Sequence, residues 1–302
     1  MRRPKTLSAW FGVAIVSALG VLLLGAVALG LGFILTRGLM GRVCTDAKAL
    51  APTNPRERPF FAGLPPVLNI AHRGASTLAL EHSFEAYELA LAQGAHVLEL
   101  DLRLTRDAAL LVAHDRTLRR TVGREEAWSE LTRAQVAELA GGRMPLDLDQ
   151  VLSHFPAARF NLELKDDTVE GPRALAQVLA RQGAAGRVLV ASQHVRVLEA
   201  LRTVTQGTVA TSASQDEALD YYACYLMGRT CIGQYSALQL PALGVLGITS
   251  ARFIAQAHEQ GLAVHYWTID DPTRMAELLA HGADGIMTNR PDRLARVLSG
   301  RP

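Results

Sequence analysis

From residue 67 to the C-terminus, short β-branched and leucine-rich runs alternate with stretches of helical period. Strands are predicted at Val67–Ala71, Val97–Thr105, Leu110–Ala113, Phe160–Leu164, Val188–Ala191 and Val209–Ser212, then at Leu238–Leu240, Ala263–Ile269 and Gly285–Thr288. Helices are predicted at His82–Ala92, Leu131–Leu139, Leu148–His154, Pro172–Arg181 and Val195–Val204, then at Gln215–Leu226, Ser250–Gln260, Pro272–His281 and Pro291–Leu298. About eight β-α units in roughly 235 residues fit an α/β fold of the closed (β/α)8 TIM-barrel type better than an open doubly wound sheet. The first strand-to-helix turn reads His72-Arg73-Gly74 where a dinucleotide fold carries Gly-x-Gly-x-x-Gly, and no Gly-x-Ser-x-Gly elbow occurs.

Polar residues recur where these strands end. In Val97–Thr105 the residues Leu98, Leu100, Leu102 and Leu104 share one parity, which leaves Glu99, Asp101 and Arg103 on the opposite face. Phe160–Lys165 repeats the pattern with Asn161, Glu163 and Lys165. Two strands thus offer Glu99, Asp101 and Glu163 to a common interior, where three carboxylates repel one another unless a cation sits among them. Oxygen-only ligands suit a hard divalent ion such as Mg²⁺ or Ca²⁺. His72 and His114 end two further strands and, free of the metal, suit proton transfer. Taken singly, each motif has an ordinary structural explanation. Their repetition at strand C-termini favours a site.

The residues before the barrel divide in two. No charged residue occurs from Leu7 through Thr36, and a helix of that length reaches roughly 40 Å, more than the ~30 Å hydrocarbon core of a bilayer. Residues 1–36 are therefore read as a basic flank and an uncleaved transmembrane anchor, since no Ala-x-Ala site follows as a signal peptide requires. Residues 37–66, with Pro52, Pro55, Pro59, Pro65 and Pro66, read as a tether, and residues 67–302 as the barrel domain. Arg2, Arg3 and Lys5 weakly favour an inside N-terminus, which places the barrel outside the cytoplasmic membrane, on the periplasmic side. A formal net charge of +2 without basic clusters argues against nucleic acid as a partner. Cys224 and Cys231 are compatible with a disulfide or with two reduced thiols. The tyrosines of Tyr221–Pro241 read as core packing, with an apolar rim beside the site as the alternative.

His72-Arg73-Gly74, Glu81, Glu99-Leu100-Asp101, Thr105-Arg106-Asp107, His114-Asp115, Glu163-Leu164-Lys165, Trp267-Thr268 and Gly282–Asn289 together resemble the glycerophosphodiester phosphodiesterase family, in order and in spacing, over Val67 to Leu298. The resemblance implies a TIM-barrel hydrolase that cleaves glycerophosphodiesters to glycerol 3-phosphate and an alcohol with a carboxylate-bound divalent metal. By position it makes Glu99, Asp101 and Glu163 the ligands and His72 and His114 the acid–base pair, without saying which is which. It brings Arg73 and Lys165 to the phosphate and Trp267 to the glycerol end, with Glu81 supporting from behind. Where the family commonly reads Pro-Glu-Asn-Thr this chain has Leu80-Glu81-His82-Ser83, so the Asn role passes to His82 or is lost; the usual Gly after the Thr-x-Asp turn is Ala108. Two alternatives stand beside this reading. One is a lysophospholipase D acting on membrane lysolipids, which the anchor favours. The other is a non-catalytic anchored barrel binding a phosphate ligand, against which the retained histidines speak.

Overall fold

The computed structural model describes residues 58–231 and 233–300. Its strands are β1 (Leu68–Ala71), β2 (Val97–Leu104), β3 (Leu110–Val112), β4 (Arg159–Leu164), β5 (Val188–Ala191), β6 (Ala210–Thr211), β7 (Ala237–Pro241), β8 (Ala263–Trp267) and β9 (Gly285–Thr288). All but β3 run parallel, in the neighbour order β6-β5-β4-β2-β1-β9-β8-β7. The ring closes between β6 and β7, where Ser236 N donates to Thr211 O and Ala213 N to Ala237 O, both at 2.8 Å. The helices are α1 (Phe84–Ala92), α2 (Arg119–Val122), α3 (Arg133–Ala140), α4 (Leu148–His154), α5 (Glu170–Arg181), α6 (Val195–Val204), α7 (Gln215–Leu226), α8 (Ala251–Glu259), α9 (Pro272–Ala280) and α10 (Pro291–Leu298). Several start on the residue types that satisfy free amides. Ser83 Oγ accepts from Ala86 N, and Thr132 and Ser214 build capping boxes with Gln135 and Glu217.

Two expectations change. The Leu110–Ala113 run is not a barrel unit: β3 folds back antiparallel on β2, with Leu102 opposite Val112. The tether does not continue to Pro66, because Phe60 and Phe61 turn inward and plug the barrel floor among Ile70, Val97, Leu189, Ala237, Ala263 and Met287. Arg159 Nε donates to Phe60 O at 3.1 Å and pins that turn. Fully burying one such phenylalanine contributes roughly 1.5–3 kcal/mol, which is why a proline-rich reading of this segment stops short. The apolar span Leu7–Thr36 lies outside the described residues. Among those described, no helix is long and apolar enough to cross a membrane.

The parity read from β2 and β4 separates the layers. Leu98, Leu100, Leu102, Phe160, Leu162 and Leu164 face outward onto the helices in one large cluster, while Val97 joins the floor and Glu99 and Asp101 stand above it. Tyr221 and Tyr235 are buried in the second cluster. Cys224 and Cys231 form a disulfide with Cα atoms 5.9 Å apart, tying the end of α7 to the loop that follows.

Between floor and site lies a polar layer. Gln239 Nε2 donates to Asn161 Oδ1 at 2.9 Å and stands 3.4 Å from His265 Nδ1. His265 is wholly buried, and among the described residues its Nε2 has no hydrogen-bond partner. Glycine at 285 makes room for the ring, since a Cβ there would stand 2.8 Å from His265 Cδ2. Burial, only partly offset by Asp284, pulls the imidazole down to about 4. The folded-state value lies below that of the unfolded chain, so the unfolded state binds the proton first as the medium acidifies. Stability is therefore complete above about pH 6.5 and lost as pH falls toward 4. We expect urea titrations at pH 7 and pH 5 to differ by about 2 kcal/mol from this group alone. His265→Leu should flatten that part of the profile; an unchanged acid slope in the variant would assign it elsewhere.

Candidate active site

The residues singled out in the sequence meet at the C-terminal mouth of the barrel. His72, Arg73, Glu99, His114, Glu163, Lys165 and Trp267 all line one cavity of about 530 Å³. Asp101 lies just beneath its surface, 1% exposed. Register explains the convergence: Asp101 sits opposite Glu163 and Glu99 opposite Asn161 across the β2–β4 ladder. Glu81 stands to one side, where its carboxylate pairs with Arg73 at 3.3 Å and Arg120 at 2.7 Å. Trp267, the last residue of β8, stays 42% exposed at the mouth.

Oxygen atoms of Glu99, Asp101 and Glu163 all lie within 4.8 Å of one another. Asp101 is the hub. It pairs with Arg73 Nε at 3.0 Å and Lys165 Nζ at 3.0 Å, and accepts from His82 Nε2 at 3.0 Å. Burial pushes its carboxyl up, but the His82 hydrogen bond and the two cations outweigh that and hold it well below the usual range. Lys165 reaches Glu163 as well, at 2.9 Å. Among the described residues Glu99 makes no ion pair, and its carboxylate accepts from the Arg73 backbone N–H at 2.9 Å. Burial first, then repulsion from Asp101 and Glu163, drives its carboxyl far up. A buried carboxylate left in that state fits a small divalent cation held jointly with Asp101 and Glu163, and the all-oxygen donor set suits Mg²⁺ or Ca²⁺.

The backbone that delivers Arg73 is unusual. Arg73 has φ 57 and Gly74 φ 82, and a Cβ on Gly74 would stand 2.8 Å from Ala86, so this turn packs directly against α1. It aims the Arg73 amide at Glu99.

The two histidines are oriented by different partners. Asn289 Nδ2 donates to Asp270 Oδ2 at 2.7 Å, which turns Oδ1 toward His72 Nδ1, also at 2.7 Å. Because a carboxylate only accepts, the amide orientation follows, and His72 Nδ1 must carry the proton. Nε2 is left with its lone pair. Burial lowers the His72 pKa, with Asn289 opposing. His114 Nδ1 instead donates to Asp115 Oδ1 at 2.8 Å. Asp115 is held at about 2 by Arg120 and by His114 itself.

Three functional contacts escaped the sequence reading. His82 takes the place of the family's Asn: its Nε2 donates to Asp101 while Nδ1 accepts from Tyr87 Oη at 2.9 Å, and burial lowers its pKa against the opposing pull of Asp101. Arg103 donates to the His114 carbonyl from Nε and Nη2, at 3.0 and 2.7 Å, and so fixes the loop that carries that histidine. Asp270 holds Asn289 through its backbone and side-chain amides. Arg103 left a signal in the inward parity it shares with Glu99 and Asp101, and His82 left one in its departure from the family's Asn. The His82–Asp101 and Asp270–Asn289 contacts themselves act across 19 residues of chain, which no local pattern reveals.

Comparison with known proteins agrees with this geometry. The model of the "Glycerophosphoryl diester phosphodiesterase family" matches residues 72–293. The chain is 34% identical over 246 residues to "Probable glycerophosphodiester phosphodiesterase 2" of Mycobacterium tuberculosis, covering 77% of this chain and 90% of that protein. It is 28% identical to the glycerophosphodiester phosphodiesterase of Bacillus subtilis, covering 89% and 97%. In fold it is similar to an Oleispira antarctica phosphodiesterase solved with the product sn-glycerol-3-phosphate, with TM-score 0.60, 21% identity, and coverage of 78% and 97%. A match over most of the barrel, joined to a relative similar along nearly its whole length, places the chain in the glycerophosphoryl diester phosphodiesterase family.

Proposed function

We propose that this enzyme hydrolyses glycerophosphodiesters to glycerol 3-phosphate and an alcohol, with Glu99, Asp101 and Glu163 holding a divalent ion. The observation that carries the reading is the juxtaposition of three converging carboxylates with two histidines on the wall of one cavity, His72 bonded to Asn289 and His114 to Asp115 rather than to any of the three. When bound, the ion supplies positive charge against the non-bridging phosphate oxygens as the pentavalent transition state develops. Arg73 and Lys165, already beside the carboxylates, add to that charge. His72 Nε2 is the base: it takes the proton from an attacking water as that oxygen bonds to phosphorus, or from the neighbouring glycerol hydroxyl, in which case a cyclic phosphate forms and a water then adds to phosphorus, breaking the ring P–O bond and returning a proton to that hydroxyl, to give glycerol 3-phosphate. The bond from phosphorus to the alcohol breaks, and His114 Nε2 protonates the departing alkoxide. Asp115 and Asn289 hold the two rings for these transfers, and Trp267 walls the glycerol end.

The test is a panel. The purified full chain is offered glycerophosphocholine, glycerophosphoethanolamine and lysophosphatidylcholine with Mg²⁺, Ca²⁺ or chelator, and glycerol 3-phosphate and choline are followed. We expect turnover that chelator lowers by at least ~10²-fold and added metal restores. Equal rates with chelator would remove the ion from the mechanism, and no turnover of any diester would leave only a phosphate-binding barrel.

For the N-terminal region we propose an uncleaved membrane anchor within Leu7–Thr36 and a barrel on the periplasmic side. The uncharged run and the flanking Arg2, Arg3 and Lys5 support it, and the Cys224–Cys231 disulfide suits an oxidising compartment. Alkaline phosphatase fused after Pro302 should be active; an inactive fusion would put the barrel inside.

A further inference from the structure

Nine large apolar side chains are exposed among the described residues, and they are not scattered. Val204, Leu226 and Leu298 end α6, α7 and α10. The other six lie at the catalytic end: Leu78 and Leu80 follow β1, Leu243, Val245 and Leu246 follow β7, and Trp267 ends β8. In the barrel β7, β8, β9 and β1 are consecutive, so these loops form one arc. Val245 is 93% exposed and Leu80 76%, while Leu243, Leu246 and Trp267 also line the cavity mouth. The wall behind them is apolar too, with Leu240, Ile248 and Phe253. Soluble monomers seldom leave this many large apolar side chains exposed at one end of a barrel.

The chain outside the described residues indicates what covers it. Residues 37–57 join the uncharged Leu7–Thr36 run to the barrel floor, and fully extended they span at most roughly 70–75 Å. Strand β2, at eight residues the longest in the barrel, spans roughly 26 Å. The link is therefore long enough to start at a membrane, pass the side of the barrel and enter at the floor while the mouth faces that same membrane. We propose that the arc from Leu78 and Leu80 to Val245 and Trp267 docks on the lipid surface that holds the N-terminal segment, so that the cavity opens onto lipid and takes a lysophospholipid directly from the bilayer. This rests on the proposed hydrolysis for its substrate and on the proposed anchor for its geometry.

The test reads docking and turnover separately. In a Cys44→Ser background, full chain carrying Val245→Cys or Val204→Cys is labelled with an environment-sensitive fluorophore and reconstituted into phosphatidylcholine vesicles, with or without brominated acyl chains. We expect bromination to quench the label at position 245 by about twofold or more and to leave position 204 unaffected. Quenching at neither position, or equally at both, overturns docking. So does emission at 245 that follows the protein-to-lipid ratio rather than bromination, since that assigns the arc to a second copy. In the second arm, the Leu80→Ser/Val245→Ser double variant should lose about tenfold in kcat/KM on lysophosphatidylcholine in vesicles and nothing on glycerophosphocholine in water. Equal loss on both substrates overturns the proposal. If the unaltered chain cleaves neither, the proposed hydrolysis fails, and the quenching arm still decides docking.

Discussion

Asp101→Asn is expected to lower kcat/KM by about 10³-fold or more while the barrel stays folded. The carboxylate is 1% exposed and answers Arg73, Lys165 and His82 at once. An amide in its place removes the charge that Arg73 and Lys165 balance and offers a metal one weak neutral oxygen. Folding should survive because each cation keeps a second partner, Arg73 with Glu81 and Lys165 with Glu163. Glu99→Gln should be comparably inactive with the opposite effect on stability. That carboxyl is driven far up by burial and by its acidic neighbours, so an isosteric neutral group relieves repulsion and should raise the metal-free melting temperature. Calorimetric metal titration, thermal melting and steady-state kinetics separate these effects. An Asp101→Asn enzyme within tenfold of wild type at saturating metal would end the assignment of Asp101 as a ligand.

The legibility of this site in the sequence follows from strand geometry. Period-two alternation in β2 and β4 fixes which residues face inward, so Glu99, Asp101 and Glu163 could be placed together without knowing how the barrel closes. His72 and His114 were legible because each directly follows a strand. The contacts that orient them were not. Asn289 meets His72 across 217 positions of chain, and only closure of β9 onto β1 brings them together. His82 could be recognised as a departure from Asn, yet that it still reaches Asp101 depends on its left-handed backbone, φ 60, and on burial beside Tyr87. Phe60 was hidden by its setting: prolines on both sides argue for a linker, and a floor assembled from seven different strands leaves no local trace.

His72→Ala is expected to reduce kcat by about 10²- to 10⁴-fold with metal affinity unchanged, because the ring bonds Asn289 and none of the three acids. A base must be neutral to accept its proton, so kcat/KM falls as pH drops through the His72 pKa. Burial has moved that pKa below its ordinary value of 6.5, so the acid limb of the profile belongs below that point. Asn289 opposes the shift by accepting the Nδ1 proton. Asn289→Ala should therefore move the limb to still lower pH, and should reduce kcat as well, since the ring loses the partner that fixes its tautomer. A structural role for Asn289 alone would lower the rate at every pH without moving the limb. The pair of measurements also assigns the histidines: if the limb stays fixed in Asn289→Ala and moves instead when Asp115 is changed to Asn, the base is His114, and the two roles exchange.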